Sequence, residues 1–340
     1  NAITIDSNGL NYQGDDDTFT VEYTTDGQSV NIVYSGATNG WIPIEDDTVT
    51  DVPYKGNSEG IFAYGYVGPV TAVSNLVSSS GVVATDTTGV GTARYLVKGC
   101  GYGGDKGICG YGLVSDAVSM TNLISNAGVV ATDVTGVGTA RWMPAATEYG
   151  GDKGIFGFGT DSGGYYGLTN LVSNAGVVAS DVTAVGTARD APAACGYGED
   201  KGIFGYGDTG SKVSMTNLVS NAGVVASDVT GVGTARNDLA ACEYGYDKGI
   251  FGFGWDGSSY LSMTNLVSNA GVVATDTTGV GTGRRVLAAC AYGYDKGIFG
   301  YGNTGSVVGI TNLVSNAGVV ATDVTGVGTA RWGLAACSFN

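Results

Sequence analysis

The 340-residue sequence contains no histidine and few basic side chains. Without histidine the chain cannot form a Ser-His-Asp or Cys-His nucleophile system, or a zinc or copper site with imidazole ligands. The 15 Lys and Arg residues stand against 31 Asp and Glu residues, which gives a formal net charge of −16. A surface this negative repels phosphate backbones, so we expect no nucleic-acid partner.

Long apolar runs are also absent from the sequence. No stretch approaches the roughly 18 apolar residues of a membrane-spanning helix, so we expect no membrane insertion. The chain begins Asn1-Ala2-Ile3, with neither an initiator Met nor an apolar signal segment, so we expect that its start was cut or lies outside this sequence. With 43% apolar residues, the composition is that of a folded protein and not of a disordered one.

Glycine is abundant, with 60 residues, and a long repeat accounts for it. Each copy resembles residues 295–331, in which DKGIFGYG precedes a short variable stretch and then TNLVSNAGVVATDVTGVGTAR. Six arginines close the six copies at spacings of 47 or 48 residues: Arg94, Arg141, Arg189, Arg236, Arg284 and Arg331.

Four short strands are predicted in each repeat, because β-branched and aromatic residues dominate them and Gly, Asn and Asp separate them. In one repeat they are Leu287–Tyr292, Gly297–Gly302, Ile310–Ser315 and Val319–Val324. Four strands in 47 or 48 residues are typical of one blade of a β-propeller. Gly300 and its equivalents fall inside a strand, which predicts a place where blades or backbones approach closely.

The predicted fold class is all-β: a six-bladed β-propeller of four-stranded blades over residues 54–340, with a small β module at residues 1–53. The last Ala-Ala-Cys strand has no partner after it, and the first Ile-Phe strand has none before it. Pairing residues 334–339 with Gly60–Gly65 would close the ring and remove an open edge. An open solenoid of six repeats is the alternative.

The segments TARWGLAAC and YDKGIFGYG place an arginine and a small-residue strand before a Gly-flanked aromatic strand. In this order residues 54–340 resemble kelch-type β-propellers. They depart from the kelch pattern, since Tyr301-Gly302 replaces the usual Gly-Gly pair and no Trp precedes the arginine. The units KGIFGYG and NLVSNAGVVATDVTGVGTAR also resemble repeats in structural proteins of tailed bacteriophages. This resemblance implies a virion component that is assembled in the host cytoplasm and exposed outside the cell.

Residues 1–53 carry ten acidic side chains and no Lys or Arg, so −10 of the net charge lies here. Phe19–Tyr23 and Val30–Tyr34 alternate as strands, and Thr25–Gln28 carries the Asp-Gly signal of a hairpin between them. The segment resembles small β modules of phage fibre and virion proteins, which implies attachment to other virion proteins. Three adjacent carboxylates lack the spacing of an EF-hand loop, so a solvated turn is favoured over a Ca²⁺ site: Asp15, Asp16 and Asp17.

The repeated charges and thiols are expected to serve structure. An Asp-Lys pair recurs in five of the six repeats, and a local turn with an ion pair is favoured over a ring of charge at a channel mouth. The six arginines and the aspartate after each Ala-Thr or Ala-Ser pair are predicted to form inter-blade pairs or loop hydrogen bonds rather than catalytic groups. Five of the six cysteines share one repeat position, so free, buried thiols are expected, as in a reducing cytoplasm.

Candidate binding residues come from the parts of the repeat that vary. The DKG and SNAG links are nearly constant and belong to one end of each blade, so the variable loops and the residue after each arginine collect at the other end. If the ring closes, Trp332, Tyr95 and Trp142 lie on consecutive blades, and aromatic rings offer rigid area to sugars or proteins. The alternative is that these rings cover the bases of the loops. The variable loops add three aromatic candidates: Trp255, Tyr165 and Tyr166.

The predicted function is non-enzymatic: a phage virion protein, either a tail fibre or a capsid decoration, that displays the propeller for binding to host-surface glycans. A secreted carbohydrate-binding propeller is the alternative. An enzyme is disfavoured, because the copper oxidases of the kelch group use His ligands. The predicted partners are other virion proteins, through residues 1–53, and a host cell-surface glycan. No catalytic residue, metal or cofactor is predicted, and assembly into a homo-oligomer is left open.

Overall fold

The computed structural model describes residues 3–14, 21–23, 31–44, 57–183 and 185–340. Contacts divide the chain into Asn1–Tyr54, here called the N-terminal module, and Lys55–Asn340, the repeat domain; the predicted boundary followed residue 53. Every regular element in these described ranges is a β-strand, and the strands form small antiparallel sheets. The predicted all-β class is therefore confirmed.

The described residues of the N-terminal module form two sheets of two antiparallel strands. β1 (Ile3–Ile5) pairs with β2 (Val21–Tyr23), and β3 (Ile32–Tyr34) pairs with β4 (Trp41–Pro43). Tyr12 is buried beside these strands in a small apolar cluster.

The hairpin predicted between Phe19–Tyr23 and Val30–Tyr34 is wrong for the described residues, because each of these strands pairs elsewhere. β3 instead pairs with β4 across the six-residue connection of residues 35–40. In that connection the Gly40 amide donates to the Gly36 carbonyl at 2.7 Å, and both glycines have positive φ. The turn at Thr25–Gln28 lies outside the described residues, as do Asp15, Asp16 and Asp17.

The repeat domain consists of six three-stranded antiparallel sheets with one shared order, in which a small-residue strand pairs with the Ile-containing strand and that strand pairs with the Asn-Leu strand. Sheets 1 to 3 are β24 (Ala335–Phe339), β5 (Glu59–Tyr66) and β6 (Val70–Val77); β7 (Lys98–Tyr102), β8 (Lys106–Gly110) and β9 (Thr121–Ile124); and β10 (Ala145–Tyr149), β11 (Lys153–Gly157) and β14 (Thr169–Val172).

The remaining three sheets follow in chain order. Sheets 4 to 6 are β15 (Ala193–Tyr197), β16 (Lys201–Asp208) and β17 (Lys212–Val219); β18 (Ala240–Tyr244), β19 (Lys248–Trp255) and β20 (Tyr260–Val267); and β21 (Ala288–Tyr292), β22 (Lys296–Asn303) and β23 (Val307–Val314). A two-stranded hairpin, β12 (Thr160–Asp161) with β13 (Gly164–Tyr165), extends the variable loop of sheet 3.

The predicted fourth strand of each repeat is wrong. In sheet 6 the segment Val319–Val324 makes only two isolated bridges to β23, at Val320 and Val324. The side chain of Asn312 is the physical reason, since its Nδ2 donates at 3.0 Å to the Ala321 carbonyl and so occupies an acceptor that lies between these bridges. The segment therefore follows the sheet edge without joining it as a regular strand.

The first and last parts of the repeat domain pair with each other, as the sequence predicted. Ala335 pairs with Ala63, and Phe339 pairs with Glu59, so that β24 completes the sheet of β5 and β6. The small-residue strands contact one another in the cyclic order β7, β10, β15, β18, β21, β24 and again β7. An open row of six repeats would leave its ends apart, whereas here the order of contacts returns to its start.

Neighbouring sheets pack through a glycine of one and a Phe ring of the next. A Cβ added to Gly300 would lie 2.7 Å from the Phe62 ring, and one added to Gly205 would lie 2.8 Å from the Phe251 ring. These distances are shorter than a carbon–carbon contact, so a side chain at either glycine would force the sheets apart. The close approach predicted at Gly300 and its equivalents is confirmed.

All six cysteines are free and buried, as predicted. The five that share a repeat position, or the Thr147 that replaces them, pack against the first glycine of the next sheet; a Cβ added to Gly154, for example, would lie 2.7 Å from Cys100 Sγ. Burial raises the pKa of the Cys290 thiol to about 12, so it stays protonated at neutral pH. These thiols fill space between sheets and are unreactive.

Candidate functional site

The six repeated arginines are fully buried between sheets. Arg189 lies 4.0 Å above the Phe158 ring that follows β11, and its Nε donates to the Tyr206 carbonyl in β16 at 2.8 Å. Its Nη2 donates to Asn217 Oδ1 at 2.6 Å, and its Nη1 lies 3.9 Å from Asp228 Oδ1. With its donors engaged inside the protein, the arginine joins consecutive sheets and is not presented to a ligand, which confirms its predicted structural role.

The repeated aspartates also link neighbouring repeats. Asp181 accepts hydrogen bonds from the Thr139 hydroxyl at 2.7 Å and from the Thr139 amide at 3.0 Å. Burial alone would raise the pKa of Asp181, but hydrogen bonds from Thr139 and Asn170 outweigh burial and lower this pKa. The same bonds recur at each repeat, and the last threonine, Thr329, donates to the first aspartate, so the set is closed: Asp86, Asp133, Asp181, Asp228, Asp276 and Asp323.

The constant end of five of the six sheets carries the Asp-Lys turn, which forms the predicted local ion pair. Asp152 Oδ1 lies 2.6 Å from Lys153 Nζ, and Asp152 Oδ2 accepts from Asn174 Nδ2 at 3.0 Å. The backbone carbonyl of Asp152 also accepts from the Gly103 amide of the preceding sheet at 2.7 Å. The DKG and SNAG links therefore lie together, and this end is occupied with joining sheets.

The six small-residue strands surround a cavity of about 40 Å³. Alanines form most of its lining, with Lys98 and Leu334 among the larger residues. A cavity needs about 10–15 Å³ of such space to hold one water molecule, so this one has room for only a few. It is far smaller than ligand pockets of about 300–1,000 Å³, so it is not a candidate site for a glycan.

Backbone hydrogen bonds join equivalent residues of the six sheets at the variable end, and we call this set of residues the cap. Each cap residue has a φ between 48 and 68°, and each donates to, or accepts from, the equivalent residue of the adjacent sheet. The bonds run from Met143 to Leu96 at 3.2 Å and onwards around the ring, and the Val97 amide completes them with the Gly333 carbonyl at 3.4 Å. The cap contains Leu96, Met143, Ala191, Asp238, Val286 and Gly333.

Two glutamates on the small-residue strands have strongly perturbed pKa values. Glu148 of β10 lies against Gly101 of β7, and Glu243 of β18 lies against Gly196 of β15. Burial raises the pKa of both carboxyls, and the negative charge of Glu243 raises that of Glu148 further. Removal from water disfavours the charged form, so these groups hold protons that free carboxylates would release.

The clearest aromatic cluster of the repeat domain joins the first and last repeats at the variable end; we call it the aromatic trio, and it consists of Tyr66, Tyr95 and Trp332. The Tyr95 and Trp332 rings meet edge to face with centroids 5.2 Å apart, and Tyr66 lies 5.2 Å from Tyr95 and 5.4 Å from Trp332. Each ring is partly exposed. Backbone hydrogen bonds between Tyr66 and Trp332 hold the cluster in place.

Three other predicted candidates lie on the neighbouring sheet, apart from the aromatic trio: Trp142, Tyr165 and Tyr166. Trp142 exchanges backbone hydrogen bonds with Thr160 and, in the part of the chain that the structure describes, has no ring contact with the aromatic trio. Tyr165, at the end of β13, is 40% exposed. The Tyr166 hydroxyl donates to Asp161 Oδ2 at 2.7 Å, which fixes that ring within its own loop.

Trp255, the remaining candidate, lies between cations of the two adjacent sheets. Lys212 Nζ is 4.7 Å from the centre of the indole, and the guanidinium carbon of Arg285 is 5.0 Å from it. Arg285 also lies 5.8 Å from the Tyr260 ring. Asn237 exchanges backbone hydrogen bonds with Trp255 at 2.9 and 3.0 Å.

Carboxylates surround this second group. Lys212 pairs with Asp208, and Arg285 Nη1 lies 3.5 Å from Asp238 Oδ2. Burial, together with the charges of Asp238 and Asp208, raises the pKa of Asp190 to about 7. Burial is the larger cause and the neighbouring carboxylates add to it, so Asp190 is partly protonated near neutral pH.

The sequence did not single out Tyr66, Tyr260 or Lys212, although each begins or ends a strand beside a variable loop. Tyr66 follows the Ile-Phe strand at the position that Trp255 occupies in its own repeat. This equivalence is the signal that could have identified it.

Within the described ranges, no group of three or more Cys, Asp or Glu side chains is arranged to hold a metal ion. No helix there is long and apolar enough to cross a membrane. The chain matches no protein-family model, and no curated protein is similar to it. The geometry of the variable end is therefore the basis for assigning a role.

Proposed function

We propose that the repeat domain is a six-bladed β-propeller whose blades each contain three regular strands and an irregular outer segment. The cyclic contacts of the small-residue strands support this, as does the register of β24 with β5. The inter-sheet bonds support it too, since Arg331 of the last repeat donates to the Tyr64 carbonyl of the first at 2.8 Å across 267 residues of chain. Full closure leaves no sheet edge free at the ends of the repeat array.

We further propose that this propeller is a non-enzymatic binding protein that recognises a glycan through the aromatic trio. The observation that carries the proposal is the mutual packing of Tyr66, Tyr95 and Trp332 into a rigid and partly exposed surface. The apolar face of a sugar ring stacks on aromatic side chains, and rings already held in place lose little entropy on binding. The repeated polar groups serve instead to join sheets.

The biological setting that we propose is a tailed-phage virion, as a tail fibre or a capsid decoration, with the N-terminal module attached to other virion proteins. The support is the resemblance of the repeats to phage structural proteins. Free thiols at all six cysteines favour assembly in a reducing compartment over the alternative of a secreted lectin. Antibody labelling of intact particles tests this setting, because label on neither head nor tail would contradict it.

The test of the binding surface is a glycan array and a host-cell binding assay with Tyr95→Ala and Trp332→Ala. Losing one stacking ring costs about 1 kcal/mol or more, so we expect binding to weaken by about fivefold or more for each variant. Tyr246→Ala is the matched control, since Tyr246 is 42% exposed but belongs to the constant end. Thermal unfolding establishes that each variant is folded. Unchanged binding by folded Tyr95 and Trp332 variants would refute the assignment.

A further inference from the structure

The group around Trp255 combines stacking surface with buried polar atoms that lack partners. Tyr260 is 39% exposed and lies beside Arg285, which itself stacks on the indole of Trp255. Asn237 is only 7% exposed, and its Oδ1 has no hydrogen-bond partner. The Nε of Arg285 is likewise buried without one. A donor and an acceptor are thus left unsatisfied on two residues that contact Trp255, Arg285 at the indole ring and Asn237 through the backbone.

These two orphan atoms differ from the others among the described residues. The remaining three belong to Asn75, Arg284 and Asn312, which are parts of the repeated arginine network between sheets. Asn237 and Arg285 instead follow the arginines of their repeats and lie at the variable end. A buried polar group without a partner costs about 1–3 kcal/mol, so a ligand that satisfies both recovers this free energy on binding.

We infer that Asn237, Arg285 and Tyr260 form a second sugar subsite, which takes one neutral pyranose ring. Sugar hydroxyls can accept from Arg285 Nε and donate to the Asn237 amide oxygen, since a hydroxyl is both donor and acceptor. The apolar face of the same ring can then stack on Tyr260. This inference rests on the glycan-binding proposal and extends it to a second contact point on the variable end.

The surrounding charges select a neutral sugar over an acidic one. Lys212 and Arg285 are the cations of this group, and each is already close to a carboxylate, Asp208 or Asp238. A uronic acid would have to compete with these carboxylates for a cation and would be repelled by them. A neutral hexose carries hydroxyls without this penalty.

The experiment titrates the full chain with methyl hexopyranosides and with the corresponding methyl hexuronides, followed by NMR and calorimetry. We expect the wild type to bind a neutral hexoside more tightly than its uronide. Tyr260→Ala and Asn237→Leu should each weaken hexoside binding by about fivefold or more, since each removes a stacking or hydrogen-bonding group. Tyr294→Ala, at a 43% exposed tyrosine of the constant end, should bind as the wild type does.

Three results would overturn the inference. The first is wild-type affinity in a folded Tyr260→Ala variant, which would mean that water alone satisfies Asn237 and Arg285. Because Tyr260 is 39% exposed, we expect this variant to fold. If Tyr95→Ala abolished binding in the same assay, the glycan proposal would stand and only the second subsite would fail. A preference for the uronide would refute the neutral assignment. Absence of binding to every glycan and glycoside would refute both proposals.

Discussion

The interface between sheets 1 and 2 departs from the other five at two residues that face each other. Elsewhere a glycine meets a Phe ring, and a Cβ added to that glycine would lie 2.7 to 3.0 Å from a ring carbon. Here the glycine is replaced by Ala63 and the Phe by Cys109, and both are fully buried in one apolar cluster. The methyl group of the alanine is accommodated because the ring opposite it is missing. We predict that these two positions are energetically coupled.

Cys109→Phe would bring an aromatic ring against the Ala63 methyl at a distance shorter than van der Waals contact. Overpacking of this kind costs about 1–3 kcal/mol of unfolding free energy. Ala63→Gly alone should cost about 0.5–1 kcal/mol, because glycine loses more conformational freedom in a strand. The double variant recreates the pair found at the other interfaces, so we expect it to be within about 1 kcal/mol of the wild type, with a coupling energy of about 1–3 kcal/mol.

Urea unfolding followed by tryptophan fluorescence measures all four proteins of this cycle. The mirror-image cycle, Gly205→Ala with Phe251→Cys, is the matched control, because it converts a regular interface into the exceptional one. Costs that add within about 0.5 kcal/mol in both cycles would refute the reasoning, since independent sites add to that accuracy. If the costs add in only one of the two cycles, the packing argument is wrong for the interface tested in that cycle.

Two further predictions concern titration and closure. Because burial raises the carboxyl pKa of Glu148 and Glu243, the folded state binds protons that the unfolded state releases above the ordinary value of 4.5; unfolding free energy should therefore fall as pH rises from about 5 to 8. The double variant Glu148→Gln with Glu243→Gln should flatten the dependence of unfolding free energy on pH, measured by urea titrations. Glu199→Gln, at an exposed residue, should leave this dependence unchanged. An unchanged pH dependence in the double variant would contradict the role of the two glutamates. Deleting residues 334–340 removes β24 and two large side chains exposed by 1% or less, Leu334 and Phe339, so the domain should lose most of its unfolding free energy. A deletion variant as stable as the full chain would refute closure.

Local patterns account for much of what the sequence predicted. The 47- and 48-residue spacing, the β-branched and aromatic runs, and the glycine at position 300 indicated the strands and their close packing. The strand and glycine signals depend on a few adjacent residues, because side-chain size and backbone freedom act locally, whereas the spacing is visible directly in the sequence. The prediction of a fourth strand was wrong because of a local side-chain interaction. The Asn312 side chain competes with the backbone for the Ala321 carbonyl.

Partner choice in the N-terminal module was not predictable in this way. Alternating residues marked Val21–Tyr23 and Ile32–Tyr34 as strands, yet each pairs with a strand that the hairpin signal did not indicate. Alternation specifies which residues can form a strand, whereas pairing depends on the competing partners that the chain can bring together.

The sequence by itself determined the repeat, the all-β class, the absence of histidine chemistry and the free thiols, because these follow from residue types and spacing. The tertiary structure alone decided which variable residues meet. Tyr66 reaches Trp332 only because β24 pairs with β5, and Asn237 and Arg285 border Trp255 only because consecutive sheets pack side by side. Contacts between residues far apart in the chain arise from hydrogen bonding and packing among whole sheets, and no local pattern encodes them.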